Sequence, residues 1–228
     1  MWGIITKYLA NVGGEKFSSI TVIVGAMIFW GFFNRVQQGI TVSFLEDIWS
    51  RNLINLFVSP LTIGEYVGGL MLVSFTNTVL SFLAMFLVAW LLFAYNIFQF
   101  GFLLLPYIFI LFLFGWAIGI LVTAAIMRFG PSVEVIVWAM PTLIMPFASI
   151  FYPVSALPEI LQPIARVVPI SYVFEGMRQV VHSGTFDVYS LIVAAVLSTI
   201  FLGLSIWIFL GVFKIVLRKG LFTRFMTD

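Results

Sequence analysis

The residues of this chain able to do polar chemistry gather in two places. Ser43, Glu46, Asp47, Arg51, Ser59, Pro60, Thr62 and Glu65 interrupt an apolar sequence between residues 43 and 65, and Glu159, Arg166, Glu175, Arg178 and His182 interrupt it again between 147 and 184. The first set has the spacings of helix-terminus chemistry. Ser43 and Glu46 fit S-x-x-E, and Thr62 and Glu65 fit T-x-x-E; in each, a hydroxyl and a carboxylate satisfy amide donors that the first turn of a helix leaves unpaired. Asp47 and Arg51 are four apart, the spacing of an ion pair on one helix face. Val58-Ser59-Pro60 predicts a stop, because a residue before proline avoids the helical region. Leu45, Ile48, Trp49, Leu53, Leu56 and Phe57 recur at three- and four-residue intervals and predict one apolar face, with Glu46, Asp47, Ser50, Arg51 and Asn55 elsewhere. Such a segment is either a solvated connector or a docking element lying against membrane or protein. Two caps and this length favour docking.

In the second set, Leu157-Pro158-Glu159 places a proline and an acid where a helix begins. Pro169 breaks the chain before Ser171, a candidate cap for a short helix ending near Gly184. Residues 147–184 are too polar to span a bilayer and too apolar for a free loop, which predicts a helical hairpin dipping into the outer leaflet. Its charges either set an outer gate or anchor it at the interface. Trp138, Phe147, Phe151 and Tyr152 are candidates to line a pathway for an amphiphile, with a lipid-facing belt as the alternative.

Reaction chemistry is missing from the sequence. It contains neither a G-x-x-x-x-G-K-[ST] phosphate loop nor a G-x-S-x-G elbow, so nothing in it reads as a means of hydrolysing ATP or acyl esters. One histidine and no cysteine leave no histidine or thiolate metal site. The expectation is a protein that is not an enzyme and binds no cofactor. A lipid-modifying enzyme would need a clustered carboxylate, histidine or serine–base set, which is lacking.

These polar segments must be positioned by membrane helices. The chain has 228 residues, of which 62% are hydrophobic and only 9% charged, with a mean hydropathy of +1.17. Soluble domains carry roughly a quarter charged residues. An all-α, polytopic membrane protein follows, organised as a single domain over 1–228. A net charge of +2 without a dense Lys/Arg block excludes nucleic acid as a partner.

A span takes about 20 apolar residues. Five are predicted: 17–33, closed by Asn34-Arg35; 66–93; 102–127; 135–151, kinked or broken by Pro141 and Pro146; and 188–213. The polar, aromatic stretch AYNIFQFG (94–101) separates the second from the third. No span carries a charge in its middle, which argues against coupling to an ion gradient. Gly115 and Gly119 form G-x-x-x-G, a site of close helix approach within the subunit. Arg35, Arg51, Arg128, Lys214, Arg218, Lys219 and Arg224 fall on one side, and Lys7, Lys16, Arg166 and Arg178 on the other. The positive-inside bias then makes 34–65, 128–134 and the C-terminus cytoplasmic. Five spans place Met1 outside, which suggests a preceding span absent from this sequence.

LEDIWSRNLINLFVSPLTIGEYVGG resembles the cytoplasmic coupling segment of type-2 ATP-binding-cassette exporter permeases, in which an acidic residue precedes a helix ending in an SPL turn. FYPVSALPEILQPIARVVPISYVFEGMRQVV resembles the outer segment of the same family, and MRFGPSVE its inner turn. The resemblance covers nearly the whole chain. It implies a six-span fold, here without its first span, and a half-transporter that forms a homodimer with a second permease subunit. Two separate cytoplasmic ATPase subunits would bind ATP and Mg and supply the energy. The implied activity is export of an amphiphile, a drug, lipid or glycan, across the cytoplasmic membrane. Carried over by position, Glu46, Asp47, Arg51, Ser59 and Pro60 belong to the coupling turn, and Pro153, Leu157, Pro158, Pro169, Tyr172, Gly176 and Arg178 to the outer gate. A non-transporting membrane anchor that recruits a cytoplasmic partner through the same amphipathic segment is the alternative.

Overall fold

The computed structural model describes residues 16–93, 104–185 and 187–219. The expected N-terminal loop and the 94–101 turn lie outside the described residues. Among the described residues the regular structure is helical, without strands: α1 (Lys16–Trp49), α2 (Leu53–Val58), α3 (Ile63–Phe93), α4 (Leu105–Phe129), α5 (Val135–Ile144), α6 (Gln162–Val167), α7 (Pro169–Ser183) and α8 (Val188–Arg218). Short 3₁₀ turns at Pro131–Val133, Met145–Phe147 and Val154–Ala156 link the middle elements. The protein is an all-α membrane protein. Three of its described helices are long and apolar enough to cross a bilayer: Ile63–Ala84 within α3, α4, and α8.

Two expected boundaries move. The helix of the first predicted span does not stop at Asn34-Arg35, because α1, 34 residues long in all, runs on to Trp49. A charge ends a helix's compatibility with hydrocarbon but removes no backbone hydrogen bond, and neither Asn nor Arg breaks a helix. At 1.5 Å per residue α1 is about 51 Å long, well beyond the roughly 30 Å of a hydrocarbon core. The charge-bearing part, with exposed Arg35, therefore continues out of the apolar part as one rod. The fourth predicted span is correctly broken, but its regular helix is only the 10 residues of α5, with Pro141 inside and Pro146 in the 3₁₀ turn that follows. It is too short to cross by itself.

Interhelical contacts fix the direction of each helix. Tyr66 of α3 meets Asp47 near the end of α1, and Phe82 meets Phe32, so α1 and α3 are antiparallel. Val36 and Ile40 of α1 sit against Gly115 and Gly119 of α4, so those two run parallel. Turn 50–62, the end of α4 and the start of α5 thus share one end of the bundle. Residues 145–187 occupy the other.

Van der Waals packing between close backbones holds this bundle, because lipid supplies no hydrophobic drive between helices. A Cβ on Gly115 would stand 2.6 Å from Val36 Cγ1, and one on Gly39 would stand 2.8 Å from the Ser74 backbone. The G-x-x-x-G site therefore packs within the subunit. Ser74 adds polar glue, donating to the Val36 carbonyl at 2.8 Å and accepting from the Trp116 indole at 3.3 Å. Phe32, Phe82 and Phe112 meet edge to face around this crossing. α4 is the central helix, with 67% of its apolar window buried against 17% for both α3 and α8.

Candidate functional site

The turn joining α1 to α3 is built from two capped ends and one cross-link. Thr62 and Glu65 form the expected box: the Thr62 amide and hydroxyl each donate to Glu65 Oε2 at 2.7 Å, and the Glu65 amide donates to Thr62 Oγ1 at 3.3 Å. α2 stops at Val58, and Ser59 donates its hydroxyl to the Leu56 carbonyl at 2.6 Å. Both features follow the spacing. The Ser43–Glu46 box does not form, because Ser43 lies inside α1, where amides already bond to carbonyls one turn back. Nor does the Asp47–Arg51 helical pair, since α1 ends at Trp49 and Arg51 leaves it with φ 55°. Asp47 instead accepts a 2.8 Å hydrogen bond from the Tyr66 hydroxyl.

That bond ties the last turn of α1 to the first turn of α3, and Tyr66 is only 6% exposed. The apolar face is partly as expected: Leu45, Ile48 and Leu53 are buried, whereas Trp49 turns outward at 55% exposure. Glu46, Trp49, Arg51, Ser59 and Pro60 are exposed on the connection whose two ends the Asp47–Tyr66 bond ties together. Tyr66 escaped the sequence reading because it is 19 residues from its partner, a distance at which no local pattern operates.

Between α1 and α5 lies a groove of about 230 Å³ lined by Trp30, Asn34, Gln38, Trp138, Pro141, Thr142 and Met145. Asn34 and Gln38 are one turn apart on α1 and so share a face. Pro141 blocks a regular ladder in α5 and Trp138 is 52% exposed. Of the aromatics considered for a pathway, Trp138 alone lines this groove. Phe147 and Phe151 pack instead against a small separate core of Tyr152, Val154, Leu157 and Ala165. Tyr152 is buried, donates to the Pro146 carbonyl at 2.8 Å, and burial raises its phenol above the usual range.

At the opposite end, α7 grips the 149–154 loop through two charged side chains one turn apart. Glu175 Oε1 accepts from the Val154 amide at 2.9 Å, and Arg178 Nη2 donates to the Ser149 carbonyl at 2.7 Å. Ser149 has φ 55°, a left-handed conformation uncommon for a residue with a side chain, and this grip holds it there. Gly176 lies between the two, and a Cβ on it would stand 2.5 Å from the Tyr107 ring of α4. Glycine lets α7 lie directly on that ring. Leu157 is buried in the small core, Pro153 precedes the 3₁₀ turn, Pro169 opens α7, and Tyr172 is half-buried on it. Pro158 stays at the surface.

Two expectations in this segment need correction. No helix starts at Pro158-Glu159: α6 begins at Gln162, with Pro163 in its first turn. Ser171 is not a cap but lies within α7, its hydroxyl donating to the Ala165 and Val168 carbonyls at 2.7 and 2.8 Å, and so it latches α6 to α7. The stop at Gly184 is as expected, with φ 68° in the left-handed region that glycine favours. The His182 side chain lies outside the described residues. Among the described residues, no group of three or more His, Asp or Glu side chains is placed to hold a metal ion.

A family model for the ABC-2 type transporter matches residues 1–182 of the 228. No curated protein matches the chain. The helical bundle and the family match agree: the chain belongs to the ABC-2 type transporter family and is a membrane subunit of an ABC transporter, a permease partnered by an ABC ATPase subunit.

Proposed function

We propose that this permease exports an amphiphilic substrate, a drug, lipid or glycan, across the cytoplasmic membrane as a multi-pass subunit. ATP and Mg are bound on two copies of a separate ATPase subunit, and a second copy of this chain completes the membrane part. The observation that carries this reading is the Asp47–Tyr66 bond, which makes the 50–62 turn a rigid bracket between two long helices. A push on Glu46, Arg51, Ser59 or Pro60 then moves α1 and α3 together instead of bending a loop. Because α1 also packs on α4 at Gly115 and Gly119, the displacement is passed to the central helix.

The α1–α5 groove supports an amphiphilic substrate. Asn34, Gln38 and Thr142 offer hydrogen bonds, while Trp30, Trp138 and Met145 offer apolar contact. Exposing amides directly to hydrocarbon is costly, so this face suits a hydrated pathway or a polar headgroup. The outer segment, pinned by Glu175 and Arg178, serves as the gate beyond it.

The test is reconstitution with the cognate ATPase in vesicles, measuring ATP hydrolysis and substrate accumulation. Substrate-stimulated hydrolysis that Trp138→Ala reduces is expected. A partner ATPase that binds normally but never responds to any amphiphile would favour the anchoring role instead.

A further inference from the structure

The outer segment encloses a second cleft, separate from the α1–α5 groove. It measures about 400 Å³ and is lined by Val154, Ser155, Arg166, Ser171, Tyr172, Glu175 and Tyr189. That is within the size range of small-molecule sites. Arg166, in the last turn of α6, and Glu175, on α7, face the same space with opposite charge. Glu175 is held by the Val154 amide through one carboxylate oxygen and not by Arg166. Arg166 is exposed. Tyr172 lies within electrostatic reach of Arg166, Glu175 and Tyr189, so the four groups converge.

A ligand complementary to such a wall carries both charges. A simple anion would meet Glu175 and a simple cation would meet Arg166. A neutral polyol would gain hydrogen bonds and forgo the charge attraction. A phosphate takes the guanidinium well, and an ammonium group is attracted both by a carboxylate and by the faces of tyrosine rings.

A second observation says what is attached to that ligand. Beginning next to Tyr189, the α8 residue that lines the cleft, Val188, Ile192, Val196, Ile200 and Leu204 recur every four residues along α8, all between 48% and 60% exposed. Positions four apart advance about 40° round the helix at each step, so these side chains form an apolar ridge that winds along α8 away from the cleft. From Val188 to Leu204 it covers 17 residues of helix, about 24 Å at 1.5 Å rise per residue. An extended acyl chain fits beside it.

We propose that the cleft binds a phospholipid with a zwitterionic phosphate–amine headgroup, phosphate on Arg166 and ammonium between Glu175 and the tyrosines, its acyl chain along the α8 ridge. The site is independent of what the transporter exports, and its test requires no transport.

Native mass spectrometry of the detergent-purified full chain tests it, with added phosphatidylethanolamine, phosphatidylglycerol or a glucosyl diacylglycerol, and with free phosphoethanolamine as the headgroup alone. Phosphatidylethanolamine should be retained at least about fivefold over the other lipids, a margin of the size that a charge-assisted contact supplies. Arg166→Gln should abolish that preference. Glu175→Gln keeps an oxygen to accept from Val154 and removes the charge, so it should shift the preference toward phosphatidylglycerol, which a purely structural role would not do. Tyr189→Ala should weaken phosphatidylethanolamine retention without changing the fold, checked by circular dichroism. Binding of free phosphoethanolamine as tightly as the lipid would remove the role of the α8 ridge and overturn the lipid assignment. Equal retention of all three lipids, or preference for the glucosyl lipid, would overturn the headgroup assignment.

Discussion

At the 50–62 turn, the Tyr66 hydroxyl joins the last turn of α1 to the first turn of α3. Tyr66→Phe removes the donor to Asp47 and leaves a half-buried carboxylate without that partner. A hydrogen bond to a charged group contributes about 1.5–3 kcal/mol, and partial exposure of Asp47 argues for the lower part of that range. Thermal unfolding in detergent should show the loss, and ATP hydrolysis by the bound ATPase should become less responsive to substrate. Unchanged coupling in a destabilised variant would mean that the bond serves the fold alone. Gly176→Ala is the corresponding test at the opposite end. Its Cβ would stand 2.5 Å from the Tyr107 ring, so α7 must shift, at a cost of about 1–3 kcal/mol. The expected readout is a lowered melting temperature together with increased protease sensitivity of 149–154, the loop that α7 holds. Neither Tyr66 nor Tyr107 carried a recognisable signal in the sequence, because their contacts join residues far apart. Thr62 and Glu65 did, since a cap is written in adjacent positions and makes no reference to the rest of the fold.

Long helices show what hydropathy can and cannot locate. The starts of α3, α4 and α8 fall within three residues of the expected positions, because an apolar run in this chain coincides with a helix. α1 departs from its expected end by a whole turn-bearing segment, because polarity marks where hydrocarbon stops and only a backbone interruption marks where a helix stops. The interruption here is at Ser50–Asn52, with Arg51 in the left-handed region, and no proline or glycine announces it. A direct consequence concerns continuity. Inserting a proline at Gln38 should uncouple the turn from the bundle by removing a backbone donor and kinking α1, at about 3 kcal/mol or more. Such a variant should retain binding of the ATPase and lose its response to substrate. A variant that couples normally would contradict transmission along α1. Pro141 lies at the corresponding place in α5 and was legible as a break, although the sequence did not show how short the resulting helix would be.

Taken as a whole, the molecule is a central helix, α4, wrapped by longer ones, with a polar device at each end. Its lack of cysteine makes the arrangement of those ends directly measurable. With Ser50→Cys or Ser155→Cys as the sole thiol, an impermeant maleimide added to intact cells should label only the Ser155 variant, both positions being exposed. Labelling of Ser50→Cys from outside would reverse the proposed orientation. The helical class was legible from composition, and the family from residues 45–69 and 151–181. The groove at Asn34 and Gln38 and the cleft at Arg166 and Glu175 were not, since each exists only where separate helices meet. The central claim is that the turn after α1 is where the ATPase acts, and site-directed cross-linking tests it most directly. A photoreactive maleimide on Ser50→Cys, in membranes containing the cognate ATPase, should give a cross-linked permease–ATPase product whose yield changes between nucleotide-free and ATP-bound conditions and falls with Glu46→Arg. No product from Ser50→Cys, with an equivalent probe elsewhere on the cytoplasmic side cross-linking efficiently, would contradict the account.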